Sequence, residues 1–100
     1  MKEFSKRTAC LVRAKAFVQN KENWCQGQGT KGHQRCAMQA VWDEEDAAEV
    51  GGAVVMLNDV AFEMYGMHIV MVNDKLGHEE TMKMFDTAIN RSIERDHRGK

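Results

Sequence analysis

The hydrophobic and polar positions along the chain predict four helices. Over residues 5–21, apolar side chains recur three or four positions apart with basic residues between them, as on a helix that buries one side. Ser5 or Thr8 can cap its start by accepting from backbone N–H groups. A second helix is predicted from Arg35 to about Trp42. The buried positions expected in these two helices are Leu11, Ala14, Phe17 and Val18, then Cys36, Ala37, Ala40 and Val41.

The longest apolar pattern predicts a central third helix. Four consecutive acids occupy positions 43–46, and acids favour the positive end of a helix dipole, so we place the first turn there. The Gly51-Gly52 pair permits a close helix approach or a kink, and Gly66 supplies the left-handed residue that commonly ends a helix. The expected apolar side of this helix consists of Ala47, Val50, Val54, Leu57, Ala61 and Met64, broadened by Val55, Phe62 and Tyr65.

Two segments interrupt the helical pattern. Residues 20–34 contain three glycines among polar side chains, which predicts a long loop that is either a functional element or a simple connection. Residues 68–72 are short and rich in β-branched side chains, which predicts a buried extended segment or a single strand. A last helix starts near His78 and carries the apolar positions Met82, Phe85, Ile89 and Ile93. The sequence therefore predicts one all-α domain over residues 1–100, with four helices, a Gly-rich loop and a short extended segment.

The composition indicates a cellular compartment and restricts the kinds of partner that the protein can have. The 100 residues carry a formal net charge of −1 and no proline, and no apolar run reaches the length of about 18 residues that a membrane span needs. Three cysteines without a C-x-x-C pair favour reduced thiols over a disulfide framework. We therefore expect a cytoplasmic protein without a membrane partner, and the sequence leaves its oligomeric state open.

The charges are separated along the chain. Residues 1–35 hold eight basic and two acidic side chains, whereas residues 36–80 hold one basic and ten acidic ones. Either a basic first helix packs beside an acidic central helix, or the molecule presents one charged surface to a partner. Glu44 and Glu45 are the candidate contacts in the second case. The acidic middle argues against binding of nucleic acid, and so does the basic helix, beside which only Trp24 is placed to stack on a base while Phe17 is expected in the core.

The sequence contains no arrangement that predicts catalysis, a metal or a cofactor. Cys25, His33 and Cys36 have the spacing C-x7-H-x2-C, which lacks the close ligand pairs of a structural zinc site. A cysteine nucleophile needs a histidine nearby, and no spacing supplies one. The loop can still bind an anion or a nucleotide, through the backbone N–H groups of its glycines with Lys31 or Arg35 pairing a phosphate.

Four short motifs, in this order, resemble a family of small bacterial and bacteriophage proteins that has no established activity. They are W-C-Q-G at 24–27, C-A-M-Q-A at 36–40, N-D at 73–74 and D-T-A-I at 86–89. Val72 stands where the family pattern has tryptophan before N-D. The resemblance covers most of residues 9–93 and implies a small, mostly helical domain without implying a reaction.

These patterns support two functional expectations. The first is a non-enzymatic binding protein, a phage-type accessory protein that acts on a host protein or complex. The second is a binder of a small molecule or nucleotide whose site lies under the loop at 24–34. This second expectation includes the case in which the binder is a hydrolase. Asn73 and Asp74 either cap the last helix or pin the Trp24 loop. Alternatively, one pocket beneath that loop brings together the side chains of Trp24, Arg35, Asn73 and Asp74.

Overall fold

A computed structural model describes residues 5–44 and 52–98. Within these ranges the chain is mostly helical, as the all-α prediction requires. Five α-helices are present there: α1 (Lys6–Gln19), α2 (Ala37–Glu44), α3 (Gly52–Tyr65), α4 (Ile69–Met71) and α5 (His78–Arg98). The remaining elements are a 3-10 turn (Lys21–Asn23), a π-helical turn (Val72–Leu76) and two short antiparallel strands, β1 (Thr30–Lys31) and β2 (Gln34–Arg35).

Local chemistry explains where the helices begin and end. The Ser5 hydroxyl oxygen accepts from the Thr8 backbone N–H at 3.1 Å, so Ser5 is the N-cap of α1. Gly66 follows α3 with a φ of 71°, and its N–H donates to the Phe62 carbonyl, which is the left-handed ending that the sequence predicts. Gly77 has a φ of 93° and turns the chain into α5, which begins at His78 as expected.

The prediction of an extended segment at 68–72 is wrong. His68 precedes the short helix α4, and the Val72 N–H donates to the His68 carbonyl at 3.0 Å, so the backbone here is helical. This conformation places both Ile69 and Val72 in the core. The burial of these side chains outweighs their preference for strands, because propensity is a weak prior that packing overrides.

The predicted count of four helices and the structureless loop at 20–34 also need correction. The loop contains the 3-10 turn and the β1–β2 hairpin. Asp43 and Glu44 lie in the last turn of α2 instead of opening the third helix, and there they pair with Arg35 and Arg13. The predicted positions that lie outside the described residues are Glu45, Asp46, Ala47, Val50 and Gly51.

The core matches the prediction in α1 and α2 and departs from it in α3 and α5. All four predicted residues of α2 are buried, and so are three of the four in α1, Phe17 being 36% exposed. In α5, Phe85 is buried as expected, but its buried neighbours are Thr81, Met84, Ala88 and Ser92. In α3 the buried side is Ala53, Met56, Leu57, Val60 and Ala61. The predicted core residues Val55, Phe62 and Met64 are exposed instead, since a nearly all-apolar helix does not reveal which side faces the core.

The basic residues of α1 pair with acids on the helices packed against it. Arg13 contacts Glu44 of α2 at 2.9 Å, and Arg7 contacts Asp96 of α5 at 2.9 Å. Lys15 pairs with Asp86, also on α5. Of these three acids, Glu44 lies in the acidic segment 36–80, whereas Asp86 and Asp96 lie beyond it. The basic first segment and the acidic middle of the chain therefore meet at the Arg13–Glu44 pair, on the surface of the molecule.

A search of the described helices finds none that could cross a membrane by itself, by length and apolar composition. The α3 helix and the segment Ile69–Leu76, which bend by 61° at their junction, meet those two criteria only when taken together.

Candidate functional site

Asn73 is the buried centre of the contacts that hold the long loop. Its side-chain oxygen accepts from the Trp24 indole Nε1 at 2.6 Å and from the Ala37 backbone N–H at 3.0 Å. Its Nδ2 donates to the Cys25 carbonyl and to Asp74 Oδ1, both at 2.9 Å. These four bonds use both donors and both acceptor positions of the amide. Asn73 therefore joins the loop, the π-helical turn and the start of α2.

The neighbouring residue, Asp74, holds the next part of the loop. Its Oδ1 accepts from the Gly27 backbone N–H at 2.9 Å. Gln26 adds two bonds from its Nε2, to the Asn73 carbonyl at 3.0 Å and to the Asp74 carbonyl at 3.1 Å. We call Trp24, Gln26, Gly27, Asn73 and Asp74 the loop clasp. In this arrangement Asn73-Asp74 pins the Trp24 loop, and Asn73 caps α2 instead of the last helix.

The Trp24 ring packs against a histidine that the sequence did not single out. The His78 ring meets it edge to face, with ring centroids 5.0 Å apart and an interplanar angle of 71°. His78 Nε2 in turn lies 2.8 Å from the Val18 carbonyl oxygen. This contact could have been predicted from the position of His78, which opens α5 four residues after Asp74 of the loop clasp.

Arg35 belongs to the same region through its backbone but not through its side chain. Its carbonyl accepts from the Cys25 N–H at 3.1 Å, next to a parallel bridge between Trp24 and Arg35. The guanidinium instead donates to Asp43 Oδ2 at 2.7 Å and to the Gly32 carbonyl at 2.8 Å. Burial alone would raise the pKa of Asp43, but hydrogen bonds from Gln39 and Arg35 hold that pKa below its usual value. The structure thus brings together three of the four side chains predicted to converge.

Two of the anion-binding groups predicted in the loop, the Gly27 N–H and the Arg35 guanidinium, contact carboxylates of this chain. The Gly27 N–H points at the Asp74 carboxylate, which occupies the place that a bound anion would take. Arg35 pairs with Asp43. Lys31 lies on β1 and is exposed. The loop therefore presents Lys31 to an incoming anion, while Gly27 and Arg35 must first exchange partners.

Cys25, His33 and Cys36, the residues weighed in the sequence for a zinc site, each have a side chain that contacts the backbone. Cys25 Sγ donates to the Gln28 carbonyl at 3.3 Å, and Cys36 Sγ accepts from the Gln39 N–H at 3.4 Å. His33 Nε2 lies 2.9 Å from the Glu22 carbonyl. Within residues 5–44 and 52–98, no three His, Cys, Asp or Glu side chains form a group that could hold a metal ion. Burial, and then the nearby Cys36 and Asp74, raise the pKa of the Cys25 thiol.

Of the two acids predicted to contact a partner, Glu44 has a partner within the chain. Its Oε1 accepts from Arg13 Nε at 2.9 Å on the surface of the molecule. Surface ion pairs of this kind stabilise a fold by about 0–1 kcal/mol and exchange readily. Glu45 lies outside the described residues.

The outward side of α3 is the surface that sequence reasoning missed. Val55 is 57% exposed and Phe62 is 45% exposed, and their spacing of seven places them on one side of the helix. The Phe62 ring meets the His68 ring edge to face at 4.7 Å, and Met71, three positions after His68, is also exposed. We call Val55, Asp59, Phe62, His68 and Met71 the outer face of α3. The sequence feature that could have indicated this exposed face is the number of apolar residues in α3, which is larger than one buried side of a helix can hold.

Comparison of the chain with protein-family models, with curated proteins and with solved structures finds no match.

Proposed function

We propose that this protein is a non-enzymatic binding protein and that it engages a partner protein through the outer face of α3. The observation that carries the proposal is the exposure of Val55 and Phe62 on the helix that also supplies five core residues. Scattered apolar side chains are normal on a protein surface, but aligned ones mark interaction sites. Met71 extends this face with a side chain that adapts its shape to a partner.

The charges around this face favour a partner with a basic rim. Residues 52–74 contain no lysine or arginine. Asp59 lies between Val55 and Phe62 on the same side of α3, is exposed, and makes no ion pair with any described residue. Glu63 pairs with Arg91 at 2.7 Å at the edge. A surface with apolar side chains surrounded by lysine or arginine would complement both features.

The proposed class of partner is supported by the small size of the chain, its supply of methionine and the lack of a catalytic arrangement in the sequence. A small bacterial or phage protein without a catalytic constellation fits an accessory protein that acts on a host protein or complex in the cytoplasm. Glu44 and Glu45, the acids indicated by the charge pattern, would extend the acidic contact if they lie at the same interface. Exchange of the Arg13–Glu44 pair for a partner's arginine would cost little, because that pair is on the surface.

Partner capture with matched variants tests this proposal. The immobilised parent protein is incubated with a bacterial lysate, and the retained protein is identified, purified and titrated against each variant. We expect Phe62→Ser to weaken binding at least about tenfold, as loss of an aromatic anchor does. Phe17→Ser is the matched control, because Phe17 is also a partly exposed phenylalanine but lies on α1. Equal binding by both variants would contradict the proposal.

Charge reversal is the second arm of the same experiment. We expect Asp59→Lys to slow association and to weaken the salt dependence of binding, since acidic rim residues steer a basic partner. Glu44→Lys, alone and with Glu45→Lys, tests whether the acids predicted from the sequence belong to the same interface. Unchanged affinity in Asp59→Lys at low salt would exclude a basic rim on the partner.

The alternative, a nucleotide or small-anion binder with its site under the loop, has its own test. In that case Lys31→Ala with Arg35→Ala would abolish the activity, and nucleotide would raise the melting temperature of the parent. We favour the protein-binding function because the Gly27 N–H and the Arg35 guanidinium already contact carboxylates of this chain. A nucleotide-dependent stabilisation that the double variant loses would reverse that preference.

A further inference from the structure

Cys25 and Cys36 are neighbours across a backbone pairing. Trp24 and Arg35 form a parallel bridge, and the Cys25 N–H donates to the Arg35 carbonyl at 3.1 Å. The bridge is isolated, and both chains leave it in the same direction, so Cys25 and Cys36, the residues that follow it, start side by side. Paired strands lie about 4.8 Å apart. This is within the Cα separation of about 4.4–6.8 Å that a disulfide requires.

The side chains of the two cysteines also occupy the same region. Both thiols are buried, with 5% and 3% of each residue exposed, and Cys36 lies close enough to Cys25 for its charge to help raise the pKa of the Cys25 thiol. The Gly29 carbonyl oxygen links them: it accepts from the Cys36 N–H at 2.9 Å and from Cys25 Sγ at 3.9 Å. The third cysteine, Cys10, contacts the Val41 carbonyl at the packing of α1 on α2. It thus belongs to a different part of the core.

We propose that Cys25 and Cys36 form a reversible disulfide when the protein meets a small disulfide oxidant such as oxidised glutathione. One cysteine thiolate attacks the oxidant, forms a mixed disulfide and releases one glutathione thiolate. The second cysteine thiolate then attacks the sulfur of the first, forms the Cys25–Cys36 bond and releases the second glutathione. The two cysteines are oxidised, the glutathione disulfide is reduced to two thiols, and the two thiol protons go to the released glutathiones.

The bond would fasten the loop at the point where the loop clasp holds it. The residues between the two cysteines include Gly27, the β1–β2 hairpin and the exposed Lys31. A crosslink across this loop limits how far it can open when the contacts of Asn73 and Asp74 break. Because both thiols are buried, the oxidant reaches them when the loop opens. Oxidation should therefore be slow in the parent and faster when the clasp is weakened.

Thiol counting after oxidation tests the proposal directly. The reduced protein is incubated with oxidised glutathione, the reagent is removed, and free thiols are alkylated in denaturant and located by peptide mass spectrometry. We expect alkylation of Cys10 alone, a linked peptide pair containing Cys25 and Cys36, and a higher melting temperature that dithiothreitol reverses. Asp74→Ala should accelerate the reaction, because it frees the Gly27 N–H and loosens the loop.

Matched variants separate this disulfide from other products. Cys10→Ala should still form the bond and lose every free thiol, whereas Cys25→Ala and Cys36→Ala should retain free cysteine or carry only a mixed glutathione disulfide. If a variant fails to fold, the peptide map of the parent still decides the question. Three alkylated cysteines after prolonged oxidation, or a linked pair that contains Cys10, would overturn the proposal. The outcome is independent of partner binding by the outer face of α3.

Discussion

The loop clasp and the outer face of α3 use their side chains in opposite ways. In the clasp, polar side chains bond to the protein itself, and the buried Asn73 amide has a protein partner for every donor and acceptor. On the outer face, Val55 and Phe62 are apolar and remain exposed. Residues whose chemistry suggests a binding site thus hold the fold together, while residues whose hydrophobicity suggests a core remain exposed. The type of a residue indicates its function less well than whether its contacts are already satisfied.

The physical reason lies in the cost of burying polar groups. Trp24 and Cys25 pass beside the start of α2 and the π-helical turn, where the Cys25 carbonyl is buried. A buried, unpaired donor or acceptor costs about 1–3 kcal/mol, and Asn73 supplies bonds to the Trp24 indole, the Cys25 carbonyl and the Ala37 N–H at once. Among the described residues, no buried side-chain nitrogen or oxygen lacks a partner.

Truncation of a core side chain should lower the free energy of unfolding more than any change in the loop clasp or on the outer face of α3. Phe85 is fully buried on α5, so Phe85→Ala removes its contacts and leaves a cavity. We expect the free energy of unfolding to fall by about 3–5 kcal/mol, measured by urea denaturation. A variant with the stability of the parent would mean that α5 does not bury this side chain.

Removal of the clasp amide should come next. Asn73→Ala leaves the Trp24 Nε1, the Ala37 N–H and the Cys25 carbonyl without their partner. We expect a loss of about 2–3 kcal/mol, because relaxation and water restore part of the penalty of about 1–3 kcal/mol per group. Asn90→Ala, at an exposed position of α5, should change stability by less than about 0.5 kcal/mol. Similar values for the two variants would contradict a structural role for the clasp.

The sequence predicted the α1 and α2 cores, because each has one clear apolar stripe between charged residues. For Asn73 and Asp74 it left two roles open, a cap on the last helix or a clamp on the Trp24 loop, and the structure has the second. It did not predict the helical conformation of 69–76, since Ile69 and Val72 favour strands locally and become helical through burial. It assigned Phe62 to the core because α3 is apolar on several sides, and only the packing of α5 and α1 against it decides which side is covered.

Tyr65, the last residue of α3, tests the contact between α3 and α5, because its hydroxyl is turned toward α5. The hydroxyl donates to Glu80 Oε1 at 2.9 Å. Burial, and then the hydrogen bond and charge of Glu80, raise the pKa of Tyr65 to about 12 from 10.0. The folded state thus holds this proton more tightly than the unfolded state. The stabilisation is complete below pH 10.0 and is lost as the pH rises toward about 12.

Phenolate absorbance measures this directly, because the chain contains one tyrosine. We expect Tyr65 to ionise at a clearly higher pH in the folded protein than in denaturant. The substitution Glu80→Gln should lower the midpoint pH of the folded protein, because it removes the carboxylate charge. A folded midpoint equal to the denatured one would show that the Tyr65–Glu80 contact does not form in solution.

Truncation on the outer face should have the smallest effect on stability. Phe62 is 45% exposed and its ring contact is with His68, itself exposed. The substitution Phe62→Ala therefore opens no internal cavity, and exposed substitutions usually change stability by less than about 0.5 kcal/mol. Comparison with Phe85→Ala, the same change on α5, separates burial from residue type. If Phe62→Ala instead destabilised the protein as much as Phe85→Ala, the outer face of α3 would be part of the core, and the proposed partner surface would have to lie elsewhere.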